Sequence, residues 1–437
     1  MTLKKNFRLL WSAETVSQFG FEVATVVIPL FAVKTLNATP AQVGFLVTCE
    51  FLGFLLLGLP AGAWIDRRRG ERVLVFSSLG RTAVFGVVAA LALAGNLTMP
   101  ALYALMFAGS LCTVFLGISY QSVLPRIVDR QLLPGANSRV EFTLSLAEIT
   151  GPAIAGFLLA LATSSYVLGA AAVCFGIATV LLSRIRVTGA AAAPPARNTT
   201  LVRDVRDGIR YVLRVPMFRV MAIRSSTYNF CNIATTTMFL LLLASVLRLP
   251  SAYIGIIFSG AGAGATLGAL SAVRLSRRFG VGPTVLGACV LAGIASIPLP
   301  FARSGGWLIV AGIGYGIASG CIVVSNILQL SVRQALCAPG MQARLSATMR
   351  FLVWGVIPLG ASVAGLVANV IGVRQTLALA VAGELVSIVP LYFSPLRRVV
   401  EMPTEPESEP ESEPAPEPPP GGAAADGARP EARQLSD

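Results

Sequence analysis

With 437 residues, 55% of them hydrophobic and only 13% charged, and a mean hydropathy of +0.74, the chain is too apolar for an ordinary soluble domain. Its 7 cysteines are scattered without CxxC spacing and it has no histidine, which excludes the usual zinc sites and argues against a disulfide framework. No lysine follows a glycine, so there is no Walker loop, and no nucleophile, histidine base or metal constellation suggests an enzyme; no cofactor and no metal are expected.

Apolar runs of roughly 20 residues, enough to cross a ~30 Å hydrocarbon core at 1.5 Å per residue, fall near 9–33, 41–64, 73–94, 99–123, 140–162 and 165–183. A second series lies near 221–247, 252–273, 283–302, 306–330, 347–370 and 375–394. Barrel strands would be half as long and would alternate. The expected fold is therefore all-α and integral to the membrane, with twelve transmembrane helices. The first run is too long for a signal peptide and lacks a small-residue cleavage site.

The net charge of +13 is a matter of placement. With a cytoplasmic N-terminus, every Lys and Arg falls in an inner loop or at an inner helix end except Lys34, Arg81, Arg248, Arg303 and Arg374. That bias predicts both termini in the cytoplasm and removes any need for a nucleic-acid partner. The excess of arginine over lysine suggests a GC-rich bacterial genome, hence a plasma (inner) membrane.

Six carboxyl groups fall inside the runs: Glu14, Glu22, Glu50, Glu141, Glu148 and Glu384. A charge at the bilayer centre costs on the order of 3 kcal/mol, so these should face protein or water. Glu14, Gln18 and Glu22 form one stripe at helical spacing. A low-dielectric carboxyl can take and release a proton, and the proton-coupling candidates are Glu22, Glu148 and Glu50, with Arg81 as a buried cation. Glu14 and Glu141 lie nearer the cytoplasmic surface, where a structural role is expected.

Between the two series, residues 189–197 (GAAAAPPAR) form a linker. Val202, Val205, Ile209 and Val212 then recur at spacings of three and four among Arg203, Asp204, Arg206, Asp207 and Arg210. This predicts an amphipathic connector on the inner membrane surface or against the bundle. Gly260, Gly264 and Gly268, like Gly312, Gly316 and Gly320, make small-residue faces for helix packing. The Glu/Pro/Ser tail from 401 to 420 cannot bury surface and is expected to be disordered. The domains are then 1–186, a first six-helix half; 187–217, the linker; 218–396, a second half; and 397–437, the tail. A shift of 206 residues places Gly62 on Gly268, Arg68 on Arg274, Arg72 on Arg278 and Pro152 on Pro358, which suggests duplication.

The 62–72 stretch GAWIDRRRGER resembles the signature loop of the major facilitator superfamily, with its glycine one place late at Gly70 and Glu71 where a basic residue is usual. Residues 151–156 (GPAIAG) are similar to the Gly-Pro motif of its exporters. Residues 51–67, 120–128 and 347–360 resemble its drug:proton antiporter branch, which includes macrolide-efflux and enterobactin-export proteins. The resemblance implies two six-helix pseudo-repeats and alternating access. It implies a gating loop of Gly62, Asp66, Arg67 and Arg72, echoed by Arg274 and Arg278, with Asp66 as the latch. Pairing with Arg67 or Arg126, or facing a helix N-terminus, would account for that acid. Hinges are expected at Gly151, Pro152, Gly156 and Pro358. Helices one, four, seven and ten would line the pathway, offering Phe115, Tyr120, Gln121, Tyr228, Asn229, Asn232, Tyr315, Asn326 and Gln329. Many proton-coupled relatives carry an arginine in the fourth helix; residues 101–123 have no charge, and Arg81 is the available substitute.

The expected function is proton-coupled export of a hydrophobic or amphipathic small molecule (an antibiotic, drug or siderophore-like product). The alternatives are a facilitator, an antiporter using another ion, or a non-transporting sensor or scaffold. Expected partners are the substrate, protons and the bilayer, with the chain acting as a monomer.

Overall fold

The structure, a computed structural model, describes residues 2–57, 70–128, 132–185, 201–337 and 342–399. Among these there is no strand. The first half contains α1 (Thr2–Lys34), α2 (Pro40–Leu57), α3 (Gly70–Leu93), α4 (Met99–Ile127), α5 (Leu133–Leu161) and α6 (Ser164–Ser183). A short helix, α7 (Leu201–Arg214), leads to α8 (Pro216–Leu241), which ends in a π turn, then α9 (Ser251–Phe279), α10 (Val281–Ser296) and α11 (Gly306–Leu336). Two broken segments follow: α12 (Gln342–Trp354) with α13 (Ile357–Ile371), and α14 (Val373–Val386) with α15 (Val389–Tyr392). Among the described residues there are 11 segments long and apolar enough to span a bilayer. The run expected at 140–162 falls on α5, whose described apolar part is the shorter Thr150–Leu161.

Local chemistry sets several boundaries. At the start of α2, Thr39 and Gln42 form a reciprocal capping box around Pro40: Thr39 N donates to Gln42 Oε1 (2.9 Å) and Gln42 N to Thr39 Oγ1 (3.3 Å). Gly280 (φ 86°) and Gly372 (φ 94°) turn the chain between α9 and α10 and between α13 and α14, where a side chain would be strained. Pro152 lies inside an uninterrupted α5, whereas Pro358 sits in the first turn after the α12–α13 break. The two expected proline hinges are therefore not alike. The carbonyls freed at the end of α12 are taken by α8: Ser226 Oγ donates to Leu352 O (3.0 Å) and Asn229 Nδ2 to Val353 O (3.1 Å).

The helices pack in a repeated pattern. In the first half α1 lies on α5 and α6, α3 on α4 and α6, and α2 on α4. In the second, α8 lies on α13 and α14, α10 on α11 and α14, and α9 on α11. The register differs from the one expected. Asn37 (φ 51°) and Arg248 (φ 50°), the non-glycine residues at positive φ among those described, are 211 residues apart. The bonds Ala38 N to Ala32 O and Leu249 N to Leu243 O, both 3.0 Å, share that offset, as do the starts of α2 and α9 and of α3 and α10. The 206-residue shift rested on one glycine pair, two arginine pairs and Pro152 with Pro358; arginines at inner helix ends recur on topological grounds and carry no register.

The halves touch through α2 on α13 and α5 on α9. At the helix ends farther from the N-terminus one hydrophobic core runs through both halves, from Val27 and Leu30 of α1 to Leu241, Ile254 and Ala368. At the other end there are two separate cores. One holds Leu10, Leu74, Val123 and Leu182 of the first half; the other holds Phe218, Val285, Leu328 and Leu396 of the second. The molecule is joined at one end and divided at the end where α1 begins. Helix α7 belongs to the second of these cores through Tyr211, Val212 and Val215, so the connector docks on the bundle.

Glycines set the closest approaches. A Cβ at Gly44 would run into Ala361 and Gly365 of α13, and one at Gly156 into Gly255 of α9, both at the joined end. Gly264 and Gly268 meet Gly316 and Gly320 in the same way, as expected for a packing face.

Candidate functional site

Midway along α3, Arg81 is 4% exposed. Its guanidinium lies over the rings of Phe175 (4.2 Å) and Phe21 (5.0 Å), and its Nε and Nη2 have no hydrogen-bond partner. Glu14, Glu22 and Glu50 all lie within Coulombic range of it. Helix α1 supplies two of these carboxyls, and Gln18 between them donates to Glu22 Oε1 at 2.8 Å. Gly151 abuts the Glu22 side chain so closely that a Cβ there would collide with it. Glu50 of α2 opens into a small pocket lined by Phe21, Phe51, Phe54, Phe85 and Met106. Leu10 and Ala13 belong to the divided core and Val23 to the joined one. The cluster therefore lies at the depth where the halves part.

Three acids sharing one buried cation make a site whose members respond to each other. A proton taken by one changes the field on the others. One cation balances one carboxylate, so ionising a second or third acid leaves net negative charge in a medium where that is costly. The expected Glu22, Glu50 and Arg81 are brought together here, and Glu14, expected at the surface, joins them. Helix α1 begins at Thr2, so Glu14 lies about three turns inside it.

Other expected residues are placed elsewhere. Gly62, Asp66 and Arg67 lie outside the described residues, as do the side chains of Glu141 and Glu148. Arg72 is exposed in the first turn of α3. Arg126, one cation considered for Asp66, pairs with Glu71 at 2.8 Å. Arg274 and Arg278 are exposed near the end of α9.

The expected cavity residues differ in burial and partners. Phe115 is half-buried, Gln121 and Asn326 are exposed, and Tyr120 is buried in the first-half core. Gln329 is buried in the second half and donates to Ser325 Oγ at 2.7 Å, and Asn229 caps α12. Tyr315 packs on Phe239 (5.2 Å) and Phe258 (5.4 Å). Tyr228 and Asn232 belong to a second polar node. Arg224, 1% exposed, stands 4.9 Å from the Tyr228 ring centre. Asn232 Nδ2 donates to Tyr228 Oη (2.9 Å) and reaches Glu384 Oε1 (3.4 Å), itself 5% exposed. Sequence reasoning counted Arg224 among inner-end cations because the apolar run starts at 221. The helix starts five residues earlier, at Pro216.

Repeated helix packing over 11 described spans, around an acid–arginine cluster, marks a polytopic membrane protein. The chain belongs to the transmembrane secretion effector family of the major facilitator superfamily, which it matches over residues 2–418. It is 25% identical to multidrug efflux pump Tap of Mycolicibacterium fortuitum over 83% of this chain and 90% of that protein. It is 24% identical to enterobactin exporter EntS of Shigella dysenteriae over 62% of this chain and 64% of that one. A mutant of nucleoside transporter NupG superposes with a TM-score of 0.73 at 12% identity, covering 89% of this chain and 99% of that one. A bacterial ferroportin homologue, 18% identical, gives 0.66 in its inward-facing state (90% and 99% covered) and 0.58 in its outward-facing state (89% and 98%). The protein is thus a small-molecule transporter of the bacterial inner membrane, not an enzyme.

Proposed function

We propose that the protein is a proton-coupled exporter of hydrophobic or amphipathic small molecules, and that Glu14, Glu22 and Glu50 around Arg81 form its coupling site. The observation that carries this reading is the gathering of three carboxyls about one buried, aromatic-faced guanidinium where the halves separate. The divided core corresponds to a state open on the side of the N-terminus. The higher ferroportin TM-score for the inward-facing form supports that reading, with both termini cytoplasmic. Residues 1–186 and 218–396 then rock about the α2–α13 and α5–α9 contacts. The names of Tap and EntS support export of bulky organic cargo.

One proton entering down 100 mV supplies ~2.3 kcal/mol, enough for a roughly fiftyfold gradient. In everted vesicles a cargo molecule should dissipate a preformed pH gradient in proportion to its uptake. Uptake that proceeds undiminished after a protonophore has abolished both pH gradient and potential would sink the proposal.

A further inference from the structure

The glycine faces of α9 and α11 do more than pack. Between α9, α10 and α11 runs a groove of about 1130 Å³, lined almost wholly by apolar groups. Its walls include Ile256, Leu267, Phe279 and Ile313, all exposed. The three helices belong to membrane spans, so the groove opens into hydrocarbon. Gly264 and Gly268 bring α9 onto α11, but Gly260 on α9 and Gly287 on α10 face open space where a side chain would be. A gap of this kind within a bilayer forfeits dispersion contacts unless a hydrocarbon chain fills it.

The groove face of α9 continues into charge. Leu267 and Ser271 line the groove, and steps of three and four residues carry the same face to Arg274 and Arg278. Phe279, the last α9 residue of the lining, has the Arg278 guanidinium 5.3 Å from its ring centre. Neither arginine has an ion-pair partner among the described residues. Arg277, between them in sequence, lies off this face by the same periodicity. Inner helix ends are basic on topological grounds, but topology does not select the face.

We propose that this groove binds an anionic phospholipid of the surrounding bilayer, its acyl chains between α9, α10 and α11 and its phosphate held by Arg274 and Arg278. Guanidinium forks match phosphate oxygens bidentately, and basic pockets between membrane helices suit anionic headgroups. A zwitterionic lipid offers the same phosphate with its charge cancelled, so headgroup selectivity is the property to measure.

The test uses the full chain in vesicles of equal parts phosphatidylglycerol and phosphatidylcholine, extracted and weighed intact by native mass spectrometry. The unmodified protein should retain phosphatidylglycerol preferentially. Arg274→Gln and Arg278→Gln should each lower that retention about fivefold, while Arg277→Gln leaves it unchanged. Gly260→Leu with Gly287→Leu fills the groove without a backbone collision and should lose both lipids with both arginines intact. Equal retention of the two lipids by the unmodified protein would overturn the proposal. So would an Arg277→Gln loss matching that of Arg278→Gln, or undiminished retention in the leucine variant.

Discussion

Gly156 of α5 and Gly255 of α9 cross backbone to backbone, leaving no room for a methyl group on either. Both lie at the joined end, so their contact is part of what holds it shut. Overpacking a tight contact costs about 1–3 kcal/mol. Gly255→Ala should shift the population toward opening at that end by fivefold or more, read as longer distances between spin labels on α5 and α9. Gly260→Ala, with open space around the new carbon, is the matched control and should not move them.

Lys34 closes the same end from α1. Its Nζ donates to Leu249 O (2.7 Å) and Ser251 Oγ (3.1 Å), across from one half to the other. Because the bonds are exposed, Lys34→Met should weaken closure by only about 1 kcal/mol, roughly fivefold in population. Faster labelling of a cysteine placed at Ala38 would report it. An unchanged rate would remove Lys34 from the latch.

Thr48 ties α2 to α13 through Pro358 O (2.9 Å) and Ser362 Oγ (2.6 Å). Thr48→Val keeps the shape and loses both bonds, so melting should fall by an amount corresponding to about 1–2 kcal/mol. In a double-mutant cycle with Ser362→Ala the losses should not add.

What the sequence made legible follows from what hydropathy can detect. Glu22, Glu50 and Arg81 stood out because a charge inside an apolar run demands a partner. Glu14 was visible in the same stripe as Glu22 but set too near the surface, and Arg224 too near an inner helix end, since both helices begin in polar or mixed sequence before the apolar run, at Thr2 and Pro216, and so reach deeper than the run suggests. The break between Trp354 and Ile357 lies in uniformly apolar sequence, where only Pro358 hinted at it. Asn229 resembled a cargo contact because nothing in the sequence shows that α12 ends beside it with a free Val353 carbonyl.

The second-half node offers a contrast to the first. Arg224 has one carboxyl, Glu384, within Coulombic range where Arg81 has three, and neither arginine makes an ion pair among the described residues. Removing the Arg224 charge leaves Glu384 buried without its nearby cation, held by Asn232, and should cost stability. Arg224→Met should lower melting yet leave proton dependence near that of the parent, whereas Arg81→Met should abolish proton-driven transport. If Arg224→Met alone uncoupled the protein, the coupling site would lie in the wrong half.

The most direct test separates substrate movement from proton movement. Purified protein in vesicles loaded with cargo should exchange labelled for unlabelled cargo without any gradient, a process that needs no net proton flux. With Glu14, Glu22 and Glu50 replaced singly by Gln, exchange should persist within about threefold of the parent. Uphill transport driven by an imposed pH gradient should fall at least tenfold in one or more of the three. Full pH-driven transport in all three variants would contradict the account.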